Sequence, residues 1–233
     1  MNNYPGILKR AISISPIFAF MIFNEEIAGT TAEFLLQVKA VKLSPSKPFT
    51  WASGIISPIY CDNRVTLSFP TIRTYIRQQM VRIINEEFGE VNLIAGVATG
   101  GIAQGVLVAQ DLGYPFAYVR SSKKGHGMEN LIEGRVEKGQ SVVVIEDLIS
   151  TGKSSLTAVE ALREAGCVVK GMVAIFTYDL DIANENFDKS QCTLYTLSDY
   201  HYLVRKAAEN NYIKESDLES LLSWREKPKQ WGK

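Results

Sequence analysis

The chain alternates between two hydrophobic rhythms. Short apolar runs bounded by glycines and polar turns are typical of buried strands, and apolar residues recurring about every third or fourth position are typical of helices with one buried face. Since the two patterns alternate, they predict an α/β fold with a mostly parallel twisted sheet flanked by helices. Strand-like runs lie at 93–97, 116–119, 141–145, 168–176 and 192–197, and helical patterns cover 24–41, 70–88, 102–112, 152–165, 200–209 and 215–224.

The segment between the first two helical patterns does not follow this alternation. A turn-rich stretch, 44–48, precedes two short apolar pieces at 49–51 and 59–61. Glycine and proline between these pieces favour tight turns, so the pieces form a small hairpin or cap. We expect cap elements over about 24–64.

The N-terminus carries an apolar run, 11–23, that follows Lys9 and Arg10 and superficially resembles a signal peptide. Pro16 interrupts the run, which is also too short to span a bilayer. We therefore expect 1–20 to be a non-essential extension, with Met21 as an alternative start. A length of 233 residues fits one large domain with appendages, so we expect 21–233 to form a single domain.

Charge and composition exclude several classes of function. The 25 basic residues balance the 25 acidic ones, so the surface is not built mainly for nucleic acid or anionic lipid, and we expect neither partner. With 46% hydrophobic and 21% charged residues, the chain can form a packed core.

Metal-ligand residues are few. The three cysteines form no CxxC pair, which favours a reducing, cytoplasmic environment, and the two histidines cannot build a His-rich metal site. A divalent ion would depend on carboxylates, water and substrate oxygens, and Mg²⁺ suits such ligands.

The most informative segment is 142–155, where an apolar strand leads to Glu146 and Asp147 and then to a loop of Ser, Thr and Gly that opens a helix. Ligands of open α/β sheets bind at the carboxyl ends of strands, and backbone N–H groups at a helix N-terminus favour phosphate. The acids can accept hydrogen bonds from vicinal hydroxyls, so the segment predicts a sugar phosphate site. It is not a Walker A loop, because Asp147 stands where that motif requires glycine.

This segment resembles the phosphoribosyl pyrophosphate (PRPP) signature of type I phosphoribosyltransferases. The resemblance implies that Glu146 and Asp147 hold the ribose hydroxyls, that 150–154 holds the 5′-phosphate, and that the Lys153 side chain points to solvent. The PRPP-binding residues that it implies are Arg120, Lys124, His126, Glu146, Asp147, Leu148, Ile149, Ser150, Thr151, Gly152, Lys153 and Ser154.

A second polar segment, 118–134, is bracketed by glycines and follows a strand, which is typical of a flexible lid or of a basic surface loop. Its Arg120, Lys124 and His126 are similar in spacing to the catalytic loop of orotate phosphoribosyltransferases. The resemblance implies a lid over about 120–134, with these three side chains on the pyrophosphate and Lys124 as the main catalytic cation. Asp147 is the fourth implied catalytic residue. Ser121 stands where many members of the family have a lysine.

Two further segments resemble parts of the same family. Residues 49–64 resemble the N-terminal cap that holds the pyrimidine base, with Ala52 where another branch has lysine, and 96–101 resembles the pyrophosphate-binding loop. For Trp51 and Tyr60, packing and base contact are both open. Ser150 is the base-side contact that the resemblance supports best.

The resemblance implies a Mg²⁺-dependent enzyme that joins orotate to PRPP, forming orotidine 5′-monophosphate and pyrophosphate in pyrimidine biosynthesis. It also implies a homodimer whose lids reach across to shared active sites, with Mg²⁺ held mainly by substrate and not by direct protein ligands. Two alternatives are a purine phosphoribosyltransferase and a regulator that senses PRPP and binds nucleic acid. Such a regulator requires an added helix-turn-helix or a basic face.

Overall fold

The computed structural model describes residues 20–51, 54–121, 131–228, 230 and 231. Its strands are β1 (Phe20–Ile22), β2 (Val41–Leu43), β3 (Phe49–Thr50), β4 (Ile56–Ser57), β5 (Ile59–Cys61), β6 (Leu93–Val97), β7 (Phe116–Val119), β8 (Ile132–Glu133), β9 (Ser141–Ile149), β10 (Val168–Thr177) and β11 (Leu194–Asp199). Its α-helices are α1 (Glu25–Gln37), α2 (Pro70–Ile83), α3 (Gly100–Leu112), α4 (Lys153–Glu164), α5 (Asp181–Lys189), α6 (Tyr200–Glu209) and α7 (Leu218–Glu226). Short 3₁₀ turns cover Asn63–Ser68 and Glu215–Asp217, and a π-helical turn, Ile84–Phe88, continues α2.

Seven strands form the main sheet in the order β1-β11-β10-β9-β6-β7-β8. Every neighbouring pair is parallel except β7 with β8. The predicted α/β fold with a mostly parallel sheet is therefore confirmed. The cap consists of two small antiparallel pairs, β2 with β5 and β3 with β4, so the apolar pieces at 49–51 and 59–61 do not pair with each other as one hairpin.

The central strand β9 shows why the sheet is covered on both faces. Val142 and Val144 pack into the cluster beneath α4 and α5, whereas Val143 and Ile145 pack into the cluster that includes residues of α1, α2, α3, α6 and α7. All four side chains are fully buried. Because neighbouring side chains of a strand point to opposite faces, a strand covered on both sides must be apolar at every position.

The first helical pattern is shorter than the sequence predicts. Asn24 caps α1, its Oδ1 accepting a hydrogen bond from the Ile27 N–H at 3.0 Å, as its position before the helix favours. The helix ends at Gln37 instead of continuing to 41. Lys39 adopts a left-handed conformation with φ of 57°, which turns the chain into β2.

The prediction for the strand at 141–145 is wrong at its C-terminal end. β9 continues to Ile149, because the long strand β10 pairs with it as far as Thr177. Pairing with β6 on the other side stops at Gly96 and Ile145. Glu146 and Asp147 thus lie within a strand that is paired on one side only.

Three elements have no clear signal in the sequence. β1 and β8 are only three and two residues long, and β1 begins at residue 20, within the segment that we expected to be an extension. Helix α5 separates β10 from β11 and packs with α4. In the described part of the chain, no helix has the length and apolar character needed to cross a membrane.

Asp199 ends β11 and caps α6, its Oδ1 accepting a hydrogen bond from the Tyr202 N–H at 2.9 Å. Burial, reinforced by the charge of Asp179, raises the pKa of Asp199 to about 6. The folded protein therefore holds this proton more tightly than the unfolded chain does. Protonated Asp199 therefore stabilises the folded state. This contribution to the free energy of unfolding is fully present below the ordinary aspartate pKa and is lost as the pH rises through about 6.

We predict that Asp199→Asn removes this pH dependence while keeping the cap, since Asn caps helices as well as Asp does. The free energy of unfolding of the variant, relative to the parent protein, should rise by up to about 3 kcal/mol between about pH 4 and about pH 7. Urea unfolding across this range measures the difference. Asp188→Asn, at an exposed position, serves as the matched control for the loss of a carboxylate. A difference that stays constant with pH for Asp199→Asn would contradict this assignment.

Candidate active site

A crevice of about 460 Å³ opens at the carboxyl ends of β6 and β9. Three segments distant in sequence meet there: the cap segment 61–64, the turn 98–100 after β6, and the segment 146–155. The lining residues are Cys61, Asp62, Arg64, Ala98, Thr99, Gly100, Glu146, Asp147, Leu148, Ser150, Thr151, Gly152, Ser154 and Ser155.

Two glycines allow the turn after β6 to approach the acidic strand. A Cβ atom on Gly101 would lie 2.3 Å from the carbonyl oxygen of Ile145, and one on Gly100 would lie 2.1 Å from Cγ of Asp147. A side chain at position 101 would therefore push α3 away from β9, and one at position 100 would displace the Asp147 carboxyl. The N-terminus of α3 lies directly against the Asp147 carboxylate as a result.

Glu146 is the deeper of the two acids, with only 5% of its surface exposed. Its Oε2 accepts a hydrogen bond from Ser155 Oγ at 2.9 Å, and its Oε1 accepts one from the Asp147 N–H at 3.0 Å. Burial and then the neighbouring Asp147 raise the pKa of Glu146 well above its usual range. Ser155 was not among the predicted site residues, although it follows the predicted phosphate loop directly.

Asp147 is half-buried and lines the crevice. Burial raises the pKa of Asp147 as well, while the hydrogen bond with Glu146 and the positive charge of Arg64 act in the opposite direction. Two adjacent carboxyl groups with raised pKa values are stabilised as anions by hydroxyl donors or by a cation. The pair is therefore suited to a ligand that brings hydroxyl groups, a cation, or both.

The loop after β9 has the features of a phosphate site. Gly152 has φ of 75° and lies so close to Phe187 that a Cβ would be 2.7 Å from that ring, so the loop needs glycine at this position. Asn186 Nδ2 donates to the Thr151 carbonyl at 2.9 Å and fixes the loop from α5. The backbone then enters α4, whose N-terminus favours anions.

Most of the predicted PRPP residues in this segment meet in the crevice. Glu146, Asp147, Leu148, Ser150, Thr151, Gly152 and Ser154 all line it. Two do not: Ile149 is buried in the core beneath α4, and Lys153 is exposed, as its predicted solvent orientation requires.

The cap is tied to the acidic strand by a residue that the sequence analysis did not single out. Asn63, only 1% exposed, donates from Nδ2 to the carbonyl oxygen of Asp147 at 2.5 Å, and its Oδ1 accepts a hydrogen bond from Cys61 Sγ at 3.3 Å. Burial and the charge of Asp147 raise the pKa of the Cys61 thiol well above its usual value. The cap thus contributes a fixed wall to the crevice.

The cap aromatics pack against their neighbours and do not line the crevice. The Trp51 ring lies 5.0 Å from Tyr178, centroid to centroid, and its Nε1–H donates to the Ile59 carbonyl at 3.1 Å. Tyr60 packs against Phe49, with ring centroids 5.7 Å apart. Packing is therefore the interpretation that these contacts favour.

The predicted lid falls mostly outside the described residues, and so do Lys124, His126 and Ala52. Arg120 lies at the edge of this segment and does not line the crevice. Its Nε is 3.4 Å from Oε1 of Glu133. Ile132 and Glu133, at the other end of the predicted lid, form β8 against β7.

In the part of the chain that the structure describes, no group of three or more His, Cys, Asp or Glu side chains could hold a metal ion. Of the three acids in the crevice, Asp62 pairs with Arg64 and Glu146 bonds to Ser155, so Asp147 is the accessible carboxylate. Its oxygens are of the kind that Mg²⁺ prefers, so the crevice fits a Mg²⁺ ion that is held mainly by substrate and water next to Asp147.

Comparisons with known proteins agree with this geometry. The model of the phosphoribosyl transferase domain matches residues 70–194. An orotate phosphoribosyltransferase of Porphyromonas gingivalis is 55% identical over 201 residues, covering 86% of this chain and 96% of the relative.

Two solved structures have the same fold. The orotate phosphoribosyltransferase of Aeropyrum pernix aligns with a TM-score of 0.68 and 26% identity, over 78% of this chain and 99% of its own. The UMP synthase of Leishmania donovani aligns with a TM-score of 0.72 and 25% identity, over 85% of this chain but only 42% of its own. With the acidic strand, the phosphate loop and the glycine turn gathered in one crevice, the chain belongs to the phosphoribosyltransferase family and, within it, to the orotate phosphoribosyltransferases.

Proposed function

We propose that this chain transfers the 5-phosphoribosyl group of PRPP to orotate, giving orotidine 5′-monophosphate and pyrophosphate for pyrimidine biosynthesis. The observation that carries the proposal is the meeting of the Glu146–Asp147 pair, the loop 150–155 and the turn 98–100 in one crevice. Hydroxyl acceptors therefore lie between two places that suit anions. PRPP has the matching order of groups, with a phosphate at one end of the ribose and a diphosphate at the other.

Each part of the donor has a counterpart in the crevice. Asp147, the more accessible acid, accepts hydrogen bonds from the ribose hydroxyls. Glu146 accepts hydrogen bonds from Ser155 and from the Asp147 N–H, and so fixes strand β9 next to Asp147. The N–H and hydroxyl groups of 150–154 bind the 5′-phosphate. The N-terminus of α3, open at Thr99 and Gly100, faces the diphosphate.

Displacement at the anomeric carbon builds negative charge on the departing diphosphate, so catalysis depends on positive charge placed there. A Mg²⁺ ion held mainly by substrate oxygens, with Asp147 as the carboxylate next to it, would supply part of that charge. As the resemblance implies, Lys124, Arg120 and His126 supply the remaining positive charge. Ser150, at the start of the loop, contacts the base.

Assembly and location follow the resemblance. We propose a homodimer in which Lys124 of one subunit serves the crevice of the other. The cysteines Cys61, Cys167 and Cys192 are all free thiols, which supports a reducing, cytoplasmic environment. We propose no nucleic-acid or membrane partner, because basic and acidic residues balance.

The decisive assay follows the loss of orotate absorbance after PRPP and Mg²⁺ are added. We expect turnover with orotate and none with uracil, adenine or hypoxanthine, since the chain belongs to the orotate branch of its family. Omission of Mg²⁺ should abolish the signal. Turnover of a purine base in preference to orotate would overturn the proposed substrate.

We predict that Asp147→Asn raises the KM for PRPP and leaves the fold intact, because the amide keeps the shape but replaces a charged acceptor of the ribose hydroxyls. The loss in kcat/KM should be about tenfold or more. Asp188→Asn, exposed on α5, is the matched control and should behave like the parent protein. Unchanged PRPP kinetics in Asp147→Asn would remove this residue from the donor site.

We also predict that Lys124→Ala lowers kcat by about 10²- to 10³-fold and changes the KM values much less, since this cation acts on charge that develops only in the transition state. Steady-state orotate assays measure both constants. Activity equal to that of the parent protein would exclude Lys124 from the reaction.

Mixing the two impaired variants, assayed at a PRPP concentration well below the KM of Asp147→Asn, tests whether sites are shared. A heterodimer of Lys124→Ala and Asp147→Asn subunits contains one crevice with an intact Asp147 and an intact Lys124 from its neighbour. We therefore expect partial recovery of orotate consumption after subunit exchange. No recovery, although mixed dimers are detected by native mass spectrometry, would contradict sharing across the interface.

A further inference from the structure

Among the described residues that line the crevice, Arg64 is the one basic side chain. It comes from the cap and is 56% exposed, so its guanidinium is accessible to a ligand. Its backbone is fixed, because Asn63 next to it is buried and bonded to the Asp147 carbonyl. A permanent cation therefore stands on a rigid wall of the crevice.

Asp62 orients the guanidinium of Arg64. Nε of Arg64 donates to Oδ1 of Asp62 at 2.7 Å, and Nη2 donates to Oδ2 at 2.9 Å. The same Oδ1 also accepts the Arg64 backbone N–H at 3.2 Å. This bidentate pair occupies one edge of the guanidinium plane, so the Nη1–Nη2 edge is directed away from Asp62 and can bind a second anion.

The position of Arg64 indicates which part of the donor it meets. The turn Asn63–Ser68 packs on α2, α3 and β9, on the face of the sheet that carries α3. The phosphate loop opens α4, which covers the opposite face. Arg64 is therefore on the side of Thr99 and Gly100, the diphosphate side of the crevice.

The electrostatics agree with this placement. The Asp147 carboxylate lies against Gly100, where an added Cβ would be 2.1 Å from its Cγ. The charge of Arg64 lowers the pKa of this same carboxyl, in opposition to the effect of burial. Arg64, Asp147 and the start of α3 thus share one end of the crevice.

We propose that Arg64 binds the diphosphate of PRPP through its Nη1–Nη2 edge and that Asp62 is the positioning residue for this contact. The inference rests on the proposed function and adds a residue to it. It also offers a source of positive charge in a chain that has Ser121 and Ala52 where relatives carry lysines. Because Arg64 belongs to the cap, this contact would join the cap to the leaving group.

Kinetics in both directions test the assignment. Arg64→Gln should raise the KM for PRPP, and the KM for pyrophosphate in the reverse reaction, by about tenfold or more, because a charge-assisted bidentate contact is lost. The KM for orotate should change by less than about twofold. Arg64→Lys should recover part of the loss, since it keeps the charge but not the planar fork.

Binding provides a readout that does not need turnover. Calorimetry with Mg²⁺ should show weaker PRPP binding to Arg64→Gln and unchanged binding of ribose 5-phosphate, which lacks the diphosphate. The matched control is Arg82→Gln, since Arg82 is 51% exposed, pairs with Glu86 at 2.7 Å and lies outside the crevice. It should match the parent protein in both experiments.

The outcomes distinguish a failure of the proposed function from a failure of the role assigned to Arg64. If the parent protein does not convert orotate, the proposed function fails and this inference fails with it. If the parent protein is active and Arg64→Gln keeps its KM for PRPP and pyrophosphate, only the role of Arg64 is overturned. A rise confined to the KM for orotate would also overturn it, because the contact would then be to the base. Circular dichroism of both Arg64 variants verifies that the fold is retained.

Discussion

The site depends on the close approach of the turn between β6 and α3 to strand β9. β9 is paired with β10 beyond Ile145 but leaves β6 at that point, so its two acids face the gap where β6 turns into α3. Glycine at position 101 lets α3 close this gap, since a Cβ there would overlap the β9 backbone, and glycine at position 100 leaves room for the Asp147 carboxyl. The crevice is therefore a consequence of backbone packing, and its acidic side chains are placed by the sheet itself.

This placement fixes the electrostatics. Burial raises the pKa of both Glu146 and Asp147; the charge of Asp147 raises the pKa of Glu146 further, whereas the hydrogen bond with Glu146 lowers that of Asp147. Such a pair is stabilised by a ligand that brings hydroxyl hydrogens and a cation, whereas a phosphate must be bound elsewhere. The loop before α4 and the start of α3 lie on opposite sides of the acids, and each ends at a helix N-terminus that favours anions. On the proposed function, this alternation of charge accounts for the binding of a sugar with anionic groups at both ends.

Sequence patterns predicted the elements that depend mainly on neighbouring residues. The apolar run 93–97, the α6 pattern at 200–209 and the phosphate loop all correspond to observed elements, because burial and glycine leave direct marks in the sequence. The long-range contacts left no such marks. Neither the hydrogen bond of Asn63, which reaches 84 positions along the chain, nor the extension of β9 by its partner β10 can be read from one segment. The sequence gives no signal for β1 either, since its three residues form a strand only by pairing with β11.

The cap illustrates how such long-range contacts build the crevice. A segment of short strands could not hold a charged side chain at a defined distance from the sheet by itself, because small hairpins are marginally stable. Here Asn63 bonds to the strand that bears the acids, Asp62 holds the guanidinium of Arg64 in plane, and both effects originate within three consecutive residues. A displacement of the acidic strand would therefore move the cap with it. The two acids and the cation of the cap are thus parts of one rigid unit, which on the proposed function is the preorganisation that stabilisation of a leaving anion requires.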